Sequence, residues 1–141
     1  MDDTLRRIER FHGHLGPYVV IGYRMGLLSN QILGDNPFAK SAVTWTGTTP
    51  PVSCIIDGIQ LSSGCTLGKG NITVHDGGIP AAQFTDPAGT SLRITLKPAV
   101  RQEIESQVTE DNMRDYSADI YSRHHDQLFD VSIEKNECQH Q

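Results

Sequence analysis

The segment FHGHLGPYVVIGYRMG, residues 11–26, joins a glycine-punctuated turn to a long apolar helix. Pro17 suits the first helical position, because its missing N–H would have no intrahelical partner there, and Gly34 is typical of a helix end. The helix would bury a stripe formed by Ile21, Met25, Leu28 and Ile32. Gly22 and Gly26 lie one turn apart on another face, so a neighbouring backbone could approach them closely.

Shorter elements flank this helix. Residues 3–11 predict a helix whose inward-facing side chains are Leu5, Ile8 and Phe11. Residues 42–46 predict a strand. Pro50-Pro51 then breaks the chain and opens a second helix, which Gly64 ends. The apolar stripe of this second helix consists of Val52, Ile55, Ile56 and Ile59.

The middle of the chain predicts a sheet. Three strands are expected at about residues 71–75, 79–84 and 90–97, and the Gly- and Pro-containing turns between them predict antiparallel hairpins. Helical periodicity returns at residues 98–107 and 113–127. Strands in the middle and helices at both ends indicate an α+β fold, with a central antiparallel sheet and helices packed from the N- and C-terminal parts.

The chain has 141 residues and a net charge of -5, and we expect one domain over residues 1–141. This domain would carry its motifs at about 11–97, C-terminal helices at about 98–128 and a flexible tail at about 129–141. A negative charge argues against nucleic acid as a partner, because phosphate binding needs a basic surface. No apolar run is long enough to span a bilayer and no signal peptide is recognisable, so we expect a cytoplasmic protein without a membrane partner.

The turn His12-Gly13-His14 places two imidazoles just before the long helix. Both could point into one pocket, and neutral imidazole is the commonest metal ligand and a good general base. By itself the pair is a weak signal, because one surface histidine and one packed histidine explain it as simply.

Cys54 stands in the first turn of the second predicted helix, where unpaired N–H groups favour negative charge. We therefore expect a lowered pKa and more thiolate character. Asp57, three residues on, shares its face and could be a metal ligand, the hydrogen-bond partner of a histidine, or a base. A small buried cysteine is an equally good explanation of Cys54.

The glycine-rich loop that contains Cys65 and Lys69 does not have the Walker spacing, but it could form an anion-binding nest to which Lys69 adds charge. The spacing from Cys54 to Cys65 does not match a zinc-ribbon knuckle, so a closed structural zinc site is not favoured.

Two further groups of metal-binding side chains lie near the C-terminus. Adjacent residues on a helix point in different directions, so a solvated face is the better interpretation of His124-His125-Asp126. Cys138 and His140 stand in a polar tail that we expect to be frayed.

Taken in order, three segments resemble the FmdE family of formylmethanofuran dehydrogenase subunits. They are FHGHLGPYVVIGYRMG, PPVSCIIDGIQLSSGCTLGKGNI and the strand SLRITL, and the resemblance runs from about Phe11 to Lys97. It implies an α+β core that forms homodimers and a metal-containing pocket. The site residues that it carries over are His12, His14, Cys54, Asp57 and Cys65, with Lys69 nearby.

The resemblance also has limits. Many family members carry a cysteine where this chain has Gly16, and some carry a C-terminal zinc finger, for which we expect no counterpart here. Reduction of carbon dioxide onto methanofuran needs a molybdenum or tungsten pterin and iron–sulfur clusters, which three cysteines in these positions cannot hold. The family name therefore implies at most an accessory role in methanogenesis-related chemistry, with oxidoreductase subunits as partners.

The leading hypothesis is a metal site with an open coordination position for a small anionic or carbonyl ligand. His14 and Cys54 would be the primary ligands, with His12 and Cys65 as further candidates. The catalytic candidates are Cys54 itself, Asp57 as an orienting group or base and Lys69 as an attractant for an anion. Zinc suits a mixed nitrogen and sulfur set best, although nickel, iron or copper would accept it. The alternatives are a non-catalytic accessory or metal-carrier subunit, and a metal-free thiol enzyme that uses Cys54 with His14.

Overall fold

A computed structural model describes residues 2–135. Its helices are, in chain order, α1 (Asp3–His12), α2 (Pro17–Leu33), α3 (Cys54–Ser63), α4 (Pro98–Gln107), α5 (Met113–Ser122) and α6 (His125–Leu128). Its strands are β1 (Ser41–Thr44), β2 (Ile72–Val74), β3 (Ala81–Thr85), β4 (Ser91–Leu96) and β5 (Phe129–Glu134). The predicted α+β class and single domain are confirmed.

The N-terminal helices follow the sequence pattern with two corrections. Helix α2 begins at Pro17 and ends before Gly34, as predicted. Phe11 is 54% exposed, because His12, one helical turn after the buried Ile8, takes the inward-facing position instead. Leu15, beyond the left-handed Gly13, is buried. Ile32 is also exposed, since the last turn of α2 faces solvent and Leu33 packs against the core instead.

The five strands form one sheet in the order β2-β1-β3-β4-β5. The turn between β3 and β4 makes an antiparallel hairpin, as predicted. The hairpin expected between β2 and β3 is wrong, because β1 lies between them and pairs in parallel with β2. Helix α3 provides the long crossover that a parallel pair requires.

The predicted tail at residues 129–141 begins instead with a strand. Strand β5 pairs antiparallel with β4, with Phe129 opposite Leu96 and Ile133 opposite Leu92. The apolar residues of β5 alternate with polar ones. The strand is short and lies between polar segments, so this alternation is hard to recognise in the sequence. Cys138 and His140 lie outside the described residues.

Helices α2 and α3 meet through their backbones. A Cβ atom at Gly22 would lie 2.0 Å from the carbonyl oxygen of Ile55, and one at Gly58 would lie 2.1 Å from the carbonyl oxygen of Val19. Real Cβ atoms do not approach oxygen this closely, so both positions require glycine. The predicted close approach at Gly22 is therefore present, and Gly58 is its counterpart on α3.

The C-terminal helices are attached to this pair by charged side chains. Arg24 of α2 donates to the carbonyl oxygens of Tyr121 and Arg123 at 2.6 Å each, which satisfies the C-terminal end of α5. Arg123 in turn makes a bidentate ion pair with Glu103 of α4, whose shorter contact is 2.6 Å. These contacts hold α4 and α5 beside α2.

Among residues 2–135, no helix is long and apolar enough to cross a membrane.

We predict that Gly58→Ala lowers the free energy of unfolding by about 2–3 kcal/mol or more, because the new methyl group overlaps the α2 backbone. Alanine ordinarily stabilises a helix relative to glycine, so the opposite sign identifies the close packing. Urea denaturation measures the effect. Gly68→Ala is the matched control, since a Cβ there meets nothing within 4 Å, and its stability should change by less than about 1 kcal/mol. Equal effects of the two substitutions would contradict the prediction.

Candidate functional site

The C-terminal end of α1 and the N-terminal ends of α2 and α3 meet at a pocket of about 360 Å³, here called the main pocket. His12, His14, Gly16, Tyr18 and Cys54 contribute to its lining. A smaller cavity of about 280 Å³, here called the side pocket, is lined by Asp57 among others and shares His12 and Cys54 with the main one. These two side chains therefore form the border between the cavities.

Asp57 positions the imidazole of His12. Its Oδ2 lies 2.7 Å from Nδ1 of His12, whose side chain is only 10% exposed. A carboxylate at this distance holds a proton on Nδ1 and leaves Nε2 as the nitrogen with a free lone pair. Among the three roles considered for Asp57, this geometry favours that of a partner to a histidine.

His14 lies on the exposed side of the same turn. Its ring centroid is 5.0 Å from that of His12, and the two ring planes are inclined by 31°. A Cβ atom at Gly16 would lie 3.1 Å from Nε2 of His14. A side chain at position 16 would therefore point toward His14, at the place where relatives are expected to carry cysteine.

Cys54 lies in the first turn of α3, as predicted, although the helix begins at Cys54 itself and not at Pro50-Pro51. The expected lowering of the Cys54 pKa is wrong. Burial raises the pKa of the Cys54 thiol, and the negative charge of Asp57 raises it further. A hydrogen bond with the backbone N–H of Cys54 itself acts in the opposite direction and is outweighed. In the absence of a cation the thiol form is therefore favoured.

The structure does not bring Cys65 and Lys69 to the main pocket. Helix α3 has ten residues, about 15 Å, and Cys65 follows its far end from Cys54. The Cys65 thiol is fully buried and lies 3.7 Å from the carbonyl oxygen of Lys40, whereas the exposed Lys69 donates to Oγ1 of Thr66 at 2.9 Å. Cys65 and Lys69 are close to Cys54 in the sequence, but they lie beyond the opposite end of α3.

A surface group of potential metal ligands lies at the start of α6. Within residues 2–135, only His124, His125 and Asp126 place three such atoms within 4.8 Å of one another. His124 caps the N-terminal end of the short helix α6, where its Nδ1 accepts from the N–H of Asp126, and the imidazole rings of His124 and His125 stack with their centroids 4.3 Å apart. His124 and Asp126 are exposed, as expected, but the expectation that these adjacent side chains point in different directions is wrong, because α5 ends at Ser122 and the three residues lie at the start of α6.

Sequence reasoning missed the wall of the main pocket opposite the histidines. It is formed by Arg101, Ile104 and Glu105 of α4, by Val108 directly after α4, and by Met113 of α5. They follow His12 by 89 to 101 residues and carry no motif, so no local pattern could have assigned them. Only the packing of α4 and α5 beside α2 places them at the pocket.

The fold and the pocket define an α+β domain with a cavity lined by histidine and cysteine. Residues 11–137 match the sequence model of the family described as "FmdE, Molybdenum formylmethanofuran dehydrogenase operon". The chain belongs to the FmdE family.

Two known proteins are similar to this chain. A crystal structure of a tungsten formylmethanofuran dehydrogenase FmdE-like protein from Syntrophus aciditrophicus has a TM-score of 0.62 and 23% identity, covering 96% of this chain and 72% of that chain. This likeness establishes the fold. A probable S-adenosyl-L-methionine-binding protein from Archaeoglobus fulgidus is 34% identical over 74 residues, which are 51% of this chain and 20% of the relative. The match thus spans a fifth of that relative's length.

We predict that Cys54 of the metal-free protein reacts with iodoacetamide at neutral pH more slowly than free cysteine does, because its raised pKa reduces the thiolate fraction. Asp57→Asn removes a negative charge, lowers the pKa and should accelerate the reaction severalfold. Mass spectrometry of the peptide that contains Cys54 gives the rate at a series of pH values. Asp35→Asn, at the far end of α2, is the control and should leave the rate unchanged. A reaction faster than that of free cysteine would refute the assignment.

Proposed function

We propose that this domain binds a transition metal, zinc foremost, in the main pocket, with His12 and Cys54 as ligands and His14 as a third. The observation that carries the proposal is the 2.7 Å contact between Nδ1 of His12 and Oδ2 of Asp57. Histidines that bind metals are commonly oriented in this way by a carboxylate on the other ring nitrogen. Nickel, iron or copper would also accept these donors.

The donor chemistry supports zinc. Two imidazoles and one thiol at one pocket are a borderline-soft set, and three protein ligands leave a position open, as in catalytic zinc sites. The raised pKa of the Cys54 thiol is compatible with this role, because a coordinating cation deprotonates the thiol. His14 is exposed, so its side chain can adjust without disturbing the core. We omit Cys65 and Lys69 from the set because they lie at the other end of α3.

A bound zinc ion would supply Lewis acidity at the open position. Two features of the chain would support the bound ion. Asp57 would fix the orientation of His12, and the apolar side chains in the wall of α4 and α5 would restrict water around the donors. An open position beside this wall would admit a small anionic or carbonyl ligand. The reaction itself is not specified by these residues.

The second candidate function is a non-catalytic accessory or metal-carrier subunit of a molybdenum or tungsten enzyme system. The description of the family by a dehydrogenase operon favours it. Transfer of zinc to a competing chelator within seconds would support the carrier role. The metal-free thiol enzyme is disfavoured, since burial raises the pKa of Cys54. A homodimer and oxidoreductase partner subunits stay predictions, because they concern the outer surface rather than the pocket.

We predict stoichiometric zinc in protein that is purified without an affinity tag, measured by plasma mass spectrometry. His12→Ala combined with Cys54→Ser should abolish it, and Asp57→Asn should weaken the zinc affinity by about 10–100-fold. The matched control is His124→Ala with His125→Ala, which removes the surface group and should leave the zinc content unchanged. Failure to retain or regain zinc would refute the proposal, as would loss of zinc in the control alone.

We also predict that Gly16→Cys tightens zinc binding by at least about tenfold, because it adds a thiolate beside His14 at the start of α2. The backbone at Gly16, with φ -121° and ψ 165°, accepts any L-residue. Competition with a chromogenic chelator measures the affinity. Gly16→Ala is the control for the added bulk and should give no increase. An unchanged affinity in Gly16→Cys would indicate that the metal lies elsewhere.

A further inference from the structure

Tyr18 carries a buried hydroxyl without a partner. The residue is 4% exposed, and no other residue in the described range 2–135 forms a hydrogen bond with this hydroxyl. Buried tyrosine hydroxyls nearly always have a partner, because leaving one unsatisfied is costly. Tyr18 lines the main pocket. An unpartnered donor at a cavity wall favours a ligand that accepts a hydrogen bond there.

Arg101 provides further donors next to Tyr18. Its Nε donates to Oε2 of Glu105 at 3.2 Å, and its guanidinium also lies close to the Tyr18 hydroxyl. Burial raises the pKa of Tyr18, so its hydroxyl stays protonated near neutral pH. Arg101 lowers this pKa through its charge and as a nearby hydrogen-bond donor, whereas the charge of Glu105 raises it, which indicates that both side chains lie close to the phenol.

The rest of this region is apolar. Val19, Val52, Ile104, Val108 and Met113 line the same cavity. A volume of about 360 Å³ lies within the usual range of small-molecule pockets, about 300–1,000 Å³. The carboxylate of Glu105 is 61% exposed and already bonded to Arg101, so the donors outnumber the acceptors at this end of the cavity.

We propose that the main pocket takes an organic carboxylate with an apolar body, whose carboxylate accepts from the Tyr18 hydroxyl and the terminal nitrogens of Arg101 while its body contacts the wall of α4 and α5. A guanidinium fork matches the planar carboxylate, and a charge-assisted hydrogen bond is among the stronger polar contacts. This inference rests on the proposed function only in that both use the same pocket. It replaces Lys69 by Arg101 as the residue that attracts an anion.

The test is titration of the full-length ¹⁵N-labelled protein with hexanoate, in metal-free and zinc-treated forms, followed by NMR chemical shifts. Acetate lacks the apolar body and hexanamide lacks the charge, so both should bind at least about tenfold more weakly than hexanoate. Arg101→Gln should weaken hexanoate binding by about tenfold or more. Arg6→Gln, which alters an exposed arginine of α1 outside the cavity, should leave the binding unchanged.

Tyr18→Phe separates a binding role from a structural one. It keeps the ring and removes a hydroxyl that has no partner, so the unfolding midpoint in urea should stay equal or rise while hexanoate binding weakens about three- to tenfold. Equal binding of hexanoate and hexanamide, or full affinity in both variants, would overturn the inference.

The two proposals fail separately. Zinc uptake without hexanoate binding in either form would overturn the carboxylate site and leave the metal site standing. Hexanoate binding to the metal-free protein that depends on Arg101, in a protein that takes up no zinc, would support the carboxylate site and refute the metal site.

Discussion

Contact between the backbones of α2 and α3 determines where the functional groups lie. Gly22 and Gly58 remove the side chains that would otherwise separate the two helices. The N-terminal ends of both helices then lie beside the end of α1, so the turn with His12 meets Cys54 and Asp57. Without this approach, the 2.7 Å contact between His12 and Asp57 would not form.

The pocket combines features that favour different chemistries. A cysteine at a helix start suggests an activated thiol, but burial and the neighbouring Asp57 raise its pKa. The same burial suits a ligand that is deprotonated by a cation, and it accounts for the unsatisfied hydroxyl of Tyr18 on the cavity wall. Desolvation thus disfavours free thiolate chemistry and favours binding, because it strengthens each polar contact that a bound ion or molecule makes.

Local patterns predicted the helices better than the pairing of strands. Helix α4 covers the predicted residues, and α2 begins at Pro17 and ends before Gly34, because capping residues and apolar periodicity act over a few neighbouring positions. Strand β5 was missed, and β2 was paired with the wrong neighbour. A short strand carries little periodicity, and its partner is chosen by the path of the whole chain, here by the crossover through α3.

The sequence by itself determined the α+β class, the family, and the presence of both a His-x-His turn and a cysteine at a helix start. These features depend on neighbouring residues and on motif order. Only the tertiary structure decided which residues share a pocket. Cys65 and Lys69 are separated from Cys54 by the length of α3. Arg101 lines the same pocket as Tyr18, although the two residues are far apart in the sequence. The physical reason is that helix packing sets such distances, and the residues that pack against one another lie far apart in the sequence.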